Sequence, residues 1–337
     1  MAATIKQVAN LARVSTATVS YVLNGTGTVT PETRQRVLDA VAELNYQPSH
    51  AARSLRGRSY TLGLALQALP NRLADPALAE VLAGFTDAAA QRNYHLLLAT
   101  PAADQTEADF CLTLARTARV DGLLLFDTRV DDERVALLRS AGVPHVCAGP
   151  APAGEGTPSV AIDGRAGAIQ AVNHLLAHGH RRISLIQLPS ELTESEPRYL
   201  GYVDALTEAG ITIDPQLIVE AGRAEEDGYQ AMNELLSLPQ PPTAVLACSD
   251  ELAFGAMHAL YDAGLQVGTD ISIVGFDDLP LAAHCHPPLT TLRQPRRKLG
   301  EHLAATLIAA IEDRNRQPES LTLGTRLIVR RSTGTPR

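Results

Sequence analysis

A run of small hydroxyl side chains lies near the start of the chain, in VSTATVSYVLNG at residues 14–25. If this stretch is a helix, its valines share one buried stripe, and the opposite face carries Thr16, Ala17, Ser20 and Tyr21. Glu and Lys are the usual residues on such a face, but acidic side chains would repel a phosphate backbone. Short hydroxyl side chains can instead donate hydrogen bonds to phosphate and approach base edges. The spacing therefore predicts a helix whose outer face contacts DNA.

The side chains of this helix divide into two expected groups. A recognition helix enters a major groove about 12 Å wide, so the residues at its leading edge must be short or must reach base edges. We expect Thr16, Ala17 and Tyr21 to face the bases. The residues expected to contact phosphates or to frame this surface are Ser15, Thr18, Ser20, Asn24 and, at the cap of the preceding helix, Thr4.

Two further helices are predicted to hold this surface in place. Thr4 can cap a first helix, and Asn24-Gly25 supplies a left-handed stop after the second. A third helix begins at Thr30 and Pro31. Its inward side chains are expected to be Val37, Leu38, Val41 and Leu44. Two helices joined by a short turn, with a third closing the core, are typical of a helix-turn-helix domain, although a plain three-helix bundle would show the same spacing.

Charge is unevenly distributed along the chain. Residues 1–58 hold seven Lys and Arg against three Asp and Glu, a net charge of +4, while the whole chain of 337 residues carries −8. The remaining residues therefore carry −12. A small basic segment before a large acidic one favours contact of the first segment alone with a polyanion, although a solvated surface could also carry so small a charge.

Composition places the chain among globular proteins with more than one packing unit. Hydrophobic residues make up 45% and charged residues 20% of the chain, whose 337 residues are too many for one modest core. No apolar run approaches the length of about 18 residues that crosses a bilayer, and the first ten residues lack the build of a signal peptide. We therefore expect a cytoplasmic protein. The four cysteines have no CxxC spacing, which favours reduced thiols over disulfides or a zinc site.

Beyond residue 59 short apolar runs alternate with amphipathic stretches. The runs predicted as buried strands are TLGLAL, YHLLLA, GLLLF, PHVCA, SVAID, RISLIQL, AVLAC and ISIVGF. Helices are predicted between the first four, at residues 77–92, 105–118 and 131–141. Such alternation indicates parallel sheets with helices on both faces, and a break at residues 151–158 divides it into two lobes. The predicted fold class is therefore α/β, a helix-turn-helix head followed by a two-lobed body of doubly wound parallel sheets.

Two stretches of this sequence resemble the lactose-repressor (LacI/GalR) family of bacterial transcriptional regulators. They are TIKQVANLARVSTATVSYVLNG and VTPETRQRVLDAVAELNYQPSHAARSLR, and PPLTTLRQPRRKLGEHLAATLIAAI near the end is similar as well. The resemblance implies a DNA-binding domain at residues 1–46 and a hinge at 47–59. It also implies a periplasmic-binding-protein-like body in which the chain crosses between the lobes three times. The first lobe would comprise residues 60–161 and 293–321, and the second 162–290 and 322–331.

The hinge segment QPSHAARSLRGR, residues 47–58, contains a helix-prone stretch of only about six residues. That is far below the length at which an isolated helix persists in water, so we expect a helix only on DNA. In the resembling family this helix pairs with its twin in a dimer and inserts a leucine into the minor groove. The resemblance implies Leu55 as the wedge, Ala52 against its twin and Arg53 or Arg56 near phosphates. A flexible linker with an incidental leucine is the alternative.

Tyr21 departs from the family pattern. Most members carry there an arginine that reads guanine through two parallel hydrogen bonds, and tyrosine has a single hydroxyl. We therefore expect an operator altered at that base pair.

Ligands of open parallel sheets bind at the carboxyl ends of the strands, so a cleft between the lobes is the expected effector site. The resemblance implies that Asp277, after ISIVGF, accepts hydroxyls of a sugar-like effector and that Arg198 contacts it. The other candidates are Asp75, Asp127, Arg223 and Ser249. Apart from Arg223, each candidate, Asp277 and Arg198 included, could instead be a cap or turn residue.

Aromatic stacking on the effector is not favoured by this sequence. Many members that bind sugars or purines carry aromatics where Arg223, Ala77 and Leu78 stand here, and only 4% of the residues are aromatic, with no Trp. The expected effector is a sugar or, because two candidate residues are arginines, a sugar acid. The second inference fails if an arginine pairs with Glu194 or Glu196.

Together these features predict a sequence-specific transcriptional regulator, in the form of a repressor, whose affinity for double-stranded operator DNA is controlled by a small effector. Two heads must meet a roughly twofold site, so a homodimer is expected, and STGTPR after Arg331 is too short for a tetramerising heptad repeat. The alternative is a soluble sugar-binding receptor or an enzyme on the same two-lobed fold. No phosphate loop, dinucleotide fingerprint, nucleophile elbow or HExxH motif supports an enzyme. We expect no cofactor, no membrane partner and no metal, since HGH and HCHPP are interpreted as turns.

Overall fold

The structure, a computed structural model, describes residues 3–24, 27–46, 58–66, 75–152, 156–314 and 320–337. The chain divides into two compact units, Met1–Ser59 and Tyr60–Arg337. The first is a helical head and the second an α/β body. In the described ranges, no helix combines the length and the apolar composition that crossing a bilayer requires.

In the described part of the head, three helices surround a small core. They are α1 Ile5–Ala12, α2 Thr16–Asn24 and α3 Pro31–Glu43. The hydroxyl caps predicted from the sequence are present: the hydroxyl oxygens of Thr4, Ser15 and Thr30 each accept a hydrogen bond from the amide three residues later. Arg13 ends α1 in the left-handed conformation, with φ 55°. The predicted stop at Gly25 lies outside the described residues.

One inward prediction in α3 is wrong. Leu38 lies on the outer side of the helix, with 43% of its surface exposed, and Ala40 is buried beside Val37 instead. Val41 and Leu44 pack against this core as predicted. Positions 37, 40, 41 and 44 repeat every three or four residues and share one face, whereas Leu38 is displaced by one residue around the helix.

Within the described residues the body contains two six-stranded sheets. The strands of the first are β1 Thr61–Ala65, β2 His95–Ala99, β3 Gly122–Leu125, β4 His145–Ala148, β5 Ser159–Ile162 and β11 Ser320–Leu323. Those of the second are β6 Ile183–Gln187, β7 Ile218–Glu220, β8 Ala244–Ala247, β9 Ser272–Asp277, β10 Thr290–Arg293 and β12 Arg326–Ile328. The helices are α4 Pro76–Gln91, α5 Glu107–Arg116, α6 Glu133–Ser140, α7 Gly164–Ala177, α8 Ser195–Glu208, α9 Glu225–Leu236, α10 Asp250–Asp262 and α11 Arg296–Glu312.

The strand orders are β11-β5-β4-β3-β1-β2 and β12-β10-β9-β8-β6-β7. Neighbouring strands are parallel throughout, except that β12 is antiparallel to β10. The predicted α/β class is confirmed, with one antiparallel edge added. The expectation that YHLLLA is a fully buried strand is wrong, because β2 is an edge strand and its side chains are only partly covered. An apolar run does not reveal whether a strand has neighbours on both sides.

The chain passes between the two sheets after β5, after β10 and after β11. The lobe segments expected from the sequence end at residues 161, 290 and 321. The three strands end slightly later, at Ile162, Arg293 and Leu323. Pairing extends each strand, since Ile162 lies opposite Leu323 and Arg293 lies opposite Asp277.

Helices α4 and α11 pack unusually closely beside the first sheet. A Cβ on Gly84 would lie 2.0 Å from the carbonyl oxygen of Arg297, and one on Gly300 would lie 2.0 Å from that of Val81. No side chain fits at either position while the helices keep this separation. The contact fastens α11 to the first lobe, although α11 follows a strand of the second sheet.

Candidate DNA-binding and effector sites

Small polar side chains form the outer face of α2. Thr16, Ala17 and Tyr21 are exposed, with Tyr21 at 50%, while Thr18 and Ser20 are half-buried. The valines of the same helix are buried in the core of the head. The predicted division of α2 into an exposed and a buried face is therefore confirmed. Contact of its exposed face with DNA stays a prediction until DNA binding is measured.

Thr4 and Ser15 serve as helix caps in addition to any contact with DNA. The Thr4 amide donates to the Gln7 side chain at 2.8 Å, which completes a capping box at α1. The Ser15 hydroxyl oxygen accepts from the Thr18 amide at 3.0 Å and lies 2.9 Å from the Thr18 hydroxyl. These bonds fix the first turn of each helix and hold the exposed face of α2 in position.

Gly27 supports the side chain of Tyr21. A Cβ at Gly27 would lie 3.2 Å from the ring atom Cγ of Tyr21, and Gly27 has φ +83°, a backbone conformation that favours glycine. The backbone at Gly27 thus packs against the ring, while half of the tyrosine surface remains exposed. This role of Gly27 was not predicted from the sequence, where its position six residues after the aromatic was the available signal.

Several predicted DNA contacts fall at or beyond the edge of the described residues. Ala52, Arg53 and Leu55 lie outside the described ranges. Asn24 is the last residue of α2. Their roles stay predictions.

Two of the six predicted effector residues are helix caps. The Asp75 carboxylate accepts from the Ala77 amide at 2.8 Å at the start of α4. The Ser249 hydroxyl accepts from the Leu252 amide at 3.1 Å at the start of α10. A capping role was the alternative prediction for both residues. As caps, their side chains lie at helix N-termini that follow strands of the two sheets.

A charged network joins the other candidates across the two lobes. Arg223, after β7, pairs with Asp127, after β3, at 2.7 Å and with Glu194 at 3.2 Å. Glu194 also pairs with Arg198 at 3.0 Å. Burial alone would lower the pKa of Arg223, but the carboxylates of Glu194, Asp127 and Asp277 more than offset this and raise it. The sequence treated Glu194 only as a possible partner of an arginine; the structure makes it the partner of both.

Arg198 is buried in the first turn of α8, with 5% of its surface exposed. Its guanidinium lies 4.3 Å from the ring centroid of Phe276 and donates to the Cys248 carbonyl oxygen at 2.5 Å. Its Nε is buried and has no hydrogen-bond partner among the described residues. Because a buried donor without a partner is costly, Arg198 is suited to bind an acceptor on a ligand.

Asp277 connects the candidate effector site to a crossing between the lobes. Its carboxylate lies 2.8 Å from Arg296 Nη2 and accepts from Gln294 Nε2 at 2.5 Å. Both partners lie where the chain leaves β10 for α11. Burial raises the pKa of Asp277, and the positive charges of Arg296 and Arg198 offset part of that rise. Neither Gln294 nor Arg296 was expected from the sequence, although both lie in the crossing segment RQPRRKLG.

Asp250 is a fully buried carboxyl group near Asp277 that was not predicted from the sequence. It accepts from the Thr291 hydroxyl at 2.5 Å and from the Leu279 amide at 2.7 Å. Burial first, and then the charge of Asp277, raise the pKa of Asp250 to about 7. A Cβ on Gly275 would lie 2.3 Å from Asp250 Oδ1, so a glycine in β9 makes room for this carboxyl.

His180, the second histidine of HGH, has its ring nitrogens satisfied by protein groups. Nδ1 lies 2.9 Å from the Thr243 hydroxyl, and Nε2 lies 3.0 Å from both the Ser272 hydroxyl and the Gly334 carbonyl oxygen. The residue is a buried structural histidine that fastens the end of the chain to the second lobe. Across the part of the chain that the structure describes, no group of three or more His, Cys, Asp or Glu is arranged to hold a metal ion.

Comparison with known proteins shows the family. Residues 4–49 match the bacterial regulatory proteins of the lacI family, and residues 172–333 match the periplasmic binding protein-like domain. The HTH-type transcriptional regulator AglR of Rhizobium meliloti (strain 1021) is 38% identical over 99% of this chain and 95% of its own. This chain belongs to the lacI family. The HTH-type transcriptional repressor CytR of Escherichia coli (strain K12) is 37% identical over 98% of this chain and 96% of its own.

Solved structures agree with this family over nearly the whole length. The lac repressor dimer bound to operator and the anti-inducer ONPF is 29% identical, with a TM-score of 0.82 over 99% of this chain and 100% of that chain. The transcriptional regulator CelR in complex with cellobiose is 34% identical, with a TM-score of 0.77 over 98% of this chain and 99% of that one. This lacI-family chain is therefore a DNA-binding transcriptional regulator. The expectation that it is not an enzyme agrees with its relatives, which are regulators.

Proposed function

We propose that this lacI-family chain is a dimeric repressor whose head binds operator DNA and whose interlobe cleft binds a small, uncharged, hydroxyl-rich effector. The observation that carries the class of effector is the pairing of the cleft arginines. Arg198 and Arg223 share Glu194, and Arg296 is paired with Asp277. The inference of a sugar acid from the sequence required at least one arginine without an acidic partner in the protein, and each of these three arginines has one.

Hydroxyl groups suit this arrangement better than a further carboxylate. A sugar hydroxyl can donate to Asp277 or Asp127 and can accept from the buried Nε of Arg198. An acidic effector would bring a negative charge to Asp127, Glu194 and Asp277, which already form ion pairs with the cleft arginines. The relatives support the same class, since CelR was solved with cellobiose.

Coupling between effector and DNA would run through Asp277. A hydroxyl that binds this carboxylate competes with Gln294 and Arg296, which lie at the crossing after β10. A changed crossing alters the angle between the lobes and hence the spacing of the two hinge segments in a dimer. Coupling of about 1–3 kcal/mol is sufficient to change operator affinity by about 5- to 150-fold.

In this proposal the head of residues 1–46 binds the major groove through Thr16, Ala17 and Tyr21, and the hinge of residues 47–59 inserts Leu55 into the minor groove. Dimerisation supplies two heads for a twofold operator, as in the lac repressor dimer bound to operator. Since operator DNA lies in the bacterial cytoplasm, we place the protein there.

The test is a thermal-shift screen of the full chain against cellobiose, other neutral sugars and matched sugar acids. We expect a neutral sugar to raise the melting temperature and the corresponding acid to have little effect. The control variant is Asp277→Asn rather than Asp277→Ala, because asparagine keeps a hydrogen-bond acceptor near the buried Arg296. Stabilisation by sugar acids alone would contradict the proposed class. A lack of salt-sensitive, sequence-preferring binding to duplex DNA would contradict the proposed function altogether.

A further inference from the structure

Two loops from opposite lobes form direct hydrogen bonds with each other, at a place separate from the three crossings. One loop follows β3 in the first lobe, and the other precedes α8 in the second. The Val130 amide donates to the Glu191 carbonyl oxygen at 2.9 Å, and the Thr193 amide donates to the Thr128 carbonyl oxygen at 3.0 Å. The two segments form an isolated antiparallel bridge. The lobes are thus joined by backbone bonds as well as by the continuous chain.

Side chains reinforce this pairing on its buried side. The hydroxyls of Thr128 and Thr193 lie 2.9 Å apart, and these residues are only 2% and 9% exposed. Gly149, after β4, lies close to both, since a Cβ there would be 3.6 Å from the Thr193 hydroxyl oxygen and 3.8 Å from that of Thr128. Separation of the lobes would expose two buried hydroxyls and break their mutual hydrogen bond.

An ion pair completes the contact at the end nearest the candidate effector site. Arg223 of the second lobe lies 2.7 Å from the Asp127 carboxylate of the first and remains tied to its own lobe through Glu194. Asp127 is itself held in place, because Arg134 Nη2 donates to the carbonyl oxygens of Phe126 at 3.0 Å and Asp127 at 3.2 Å. Both ends of the ion pair are therefore preorganised, which limits the entropy lost in forming it.

We infer that these contacts form an interlobe clasp, comprising residues 127–130, residues 191–194 and Arg223, which holds the two lobes together when no effector is bound. Arg223 acts as a positioning residue, because its ion pair with Asp127 links the second lobe to the first. An effector hydroxyl that donates to Asp127 shares the carboxylate with Arg223 and weakens the contact between them. The clasp thereby sets how far effector binding changes the separation of the lobes. That regulatory consequence rests on the proposed function, whereas the clasp itself does not.

Hydrogen–deuterium exchange of the full chain, without DNA or any added small molecule, tests the clasp directly. The amides of Val130 and Thr193 donate across the lobe boundary, so peptides that contain them report lobe separation. We expect both amides to be protected in the unaltered chain. Arg223→Met and Asp127→Asn should each accelerate their exchange by about three- to tenfold, a modest factor because the pair is partly exposed to solvent.

The matched control is Arg165→Met. Arg165 forms an ion pair with Asp204 at 2.6 Å between α7 and α8, entirely within the second lobe, and its removal should leave both amides unchanged. Unprotected amides in the unaltered chain would overturn the clasp, as would unchanged exchange in both clasp variants. An equal acceleration in the interior strands β6 and β8 would indicate global destabilisation and would also overturn it. Since no ligand or DNA is present, failure here is distinguishable from failure of the proposed function.

Discussion

Replacement of Asp277 by alanine should destabilise the body far more than removal of an ordinary surface carboxylate. The side chain of its partner Arg296 is 4% exposed, and Nη2 lies 2.8 Å from the Asp277 carboxylate. Alanine would leave the guanidinium buried beside the backbone carbonyl of residue 277, which accepts from Nη1 at 2.7 Å. Loss of one partner from a buried ion pair costs about 3–5 kcal/mol. Because the Asp277 side chain is 17% exposed, water can reach the site, and we expect a loss of about 3 kcal/mol at the low end of this range.

A second substitution should recover stability. In the double variant Asp277→Ala with Arg296→Met the buried charge is absent, and an apolar side chain of similar length fills the space, so we expect at least half of the loss to be restored. Arg296→Met alone should cost less than Asp277→Ala alone. The reason is that burial already raises the pKa of Asp277, so its carboxyl group can take up a proton, whereas arginine cannot release one.

Urea unfolding at pH 7, followed by circular dichroism because the chain has no Trp, measures these differences. Asp204→Ala is the control, since Asp204 pairs with Arg165 at 2.6 Å in a largely exposed ion pair that water and salt screen. The reasoning is refuted if Asp277→Ala is no more destabilising than Asp204→Ala, or if the double variant is no more stable than Asp277→Ala.

Other predictions concern single residues. The pKa of Asp250 rises from 3.8 to about 7 on folding, so its burial lowers the unfolding free energy progressively between about pH 4 and pH 7. In urea titrations, the free energy of unfolding of Asp250→Asn should therefore rise relative to that of the unaltered chain across that interval and stay constant above it. Tyr21→Arg should restore a preference for guanine in a binding-site selection, and identical preferred sites for both proteins would disprove the altered contact. Leu55→Ala should weaken operator binding in a mobility-shift assay without changing the melting temperature, whereas unchanged affinity would count against a minor-groove wedge. Gly300→Ala should lower the free energy of unfolding by about 1–3 kcal/mol or more, because its Cβ would lie 2.0 Å from the Val81 carbonyl oxygen, and an unaltered thermal midpoint would contradict the close packing of α4 and α11.

Local signals were sufficient for most of the head. Thr4 and Thr30 cap their helices through bonds to amides only three residues away, so the sequence alone indicates where those helices begin. Leu38 was assigned to the wrong face because an apolar residue next to a buried one differs by a single position in the pattern, and the neighbouring helices decide which position is covered.

In the body, too, local patterns were predictable from the sequence, whereas contacts between residues far apart in the chain were not. Strand and helix alternation predicted the α/β class. The rule that ligands meet strand ends made Asp127 and Asp277 candidates, and the family resemblance added Arg198. The partners that define their chemistry could not be found in this way. Glu194 joins Arg198 to Arg223, and Gln294 and Arg296 reach Asp277 from the crossing after β10.

The sequence by itself determined that this chain has a basic helix-turn-helix head and an acidic two-lobed body, because caps, periodicity and charge are properties of neighbouring residues. Only the tertiary structure decided that the cleft arginines are neutralised, that Asp250 is a buried acid and that two loops fasten the lobes together. These properties depend on distances between groups that lie up to about a hundred residues apart, such as Asp127 and Arg223. Coulombic and desolvation energies follow those distances and the surrounding burial, neither of which is contained in the order of residues along the chain.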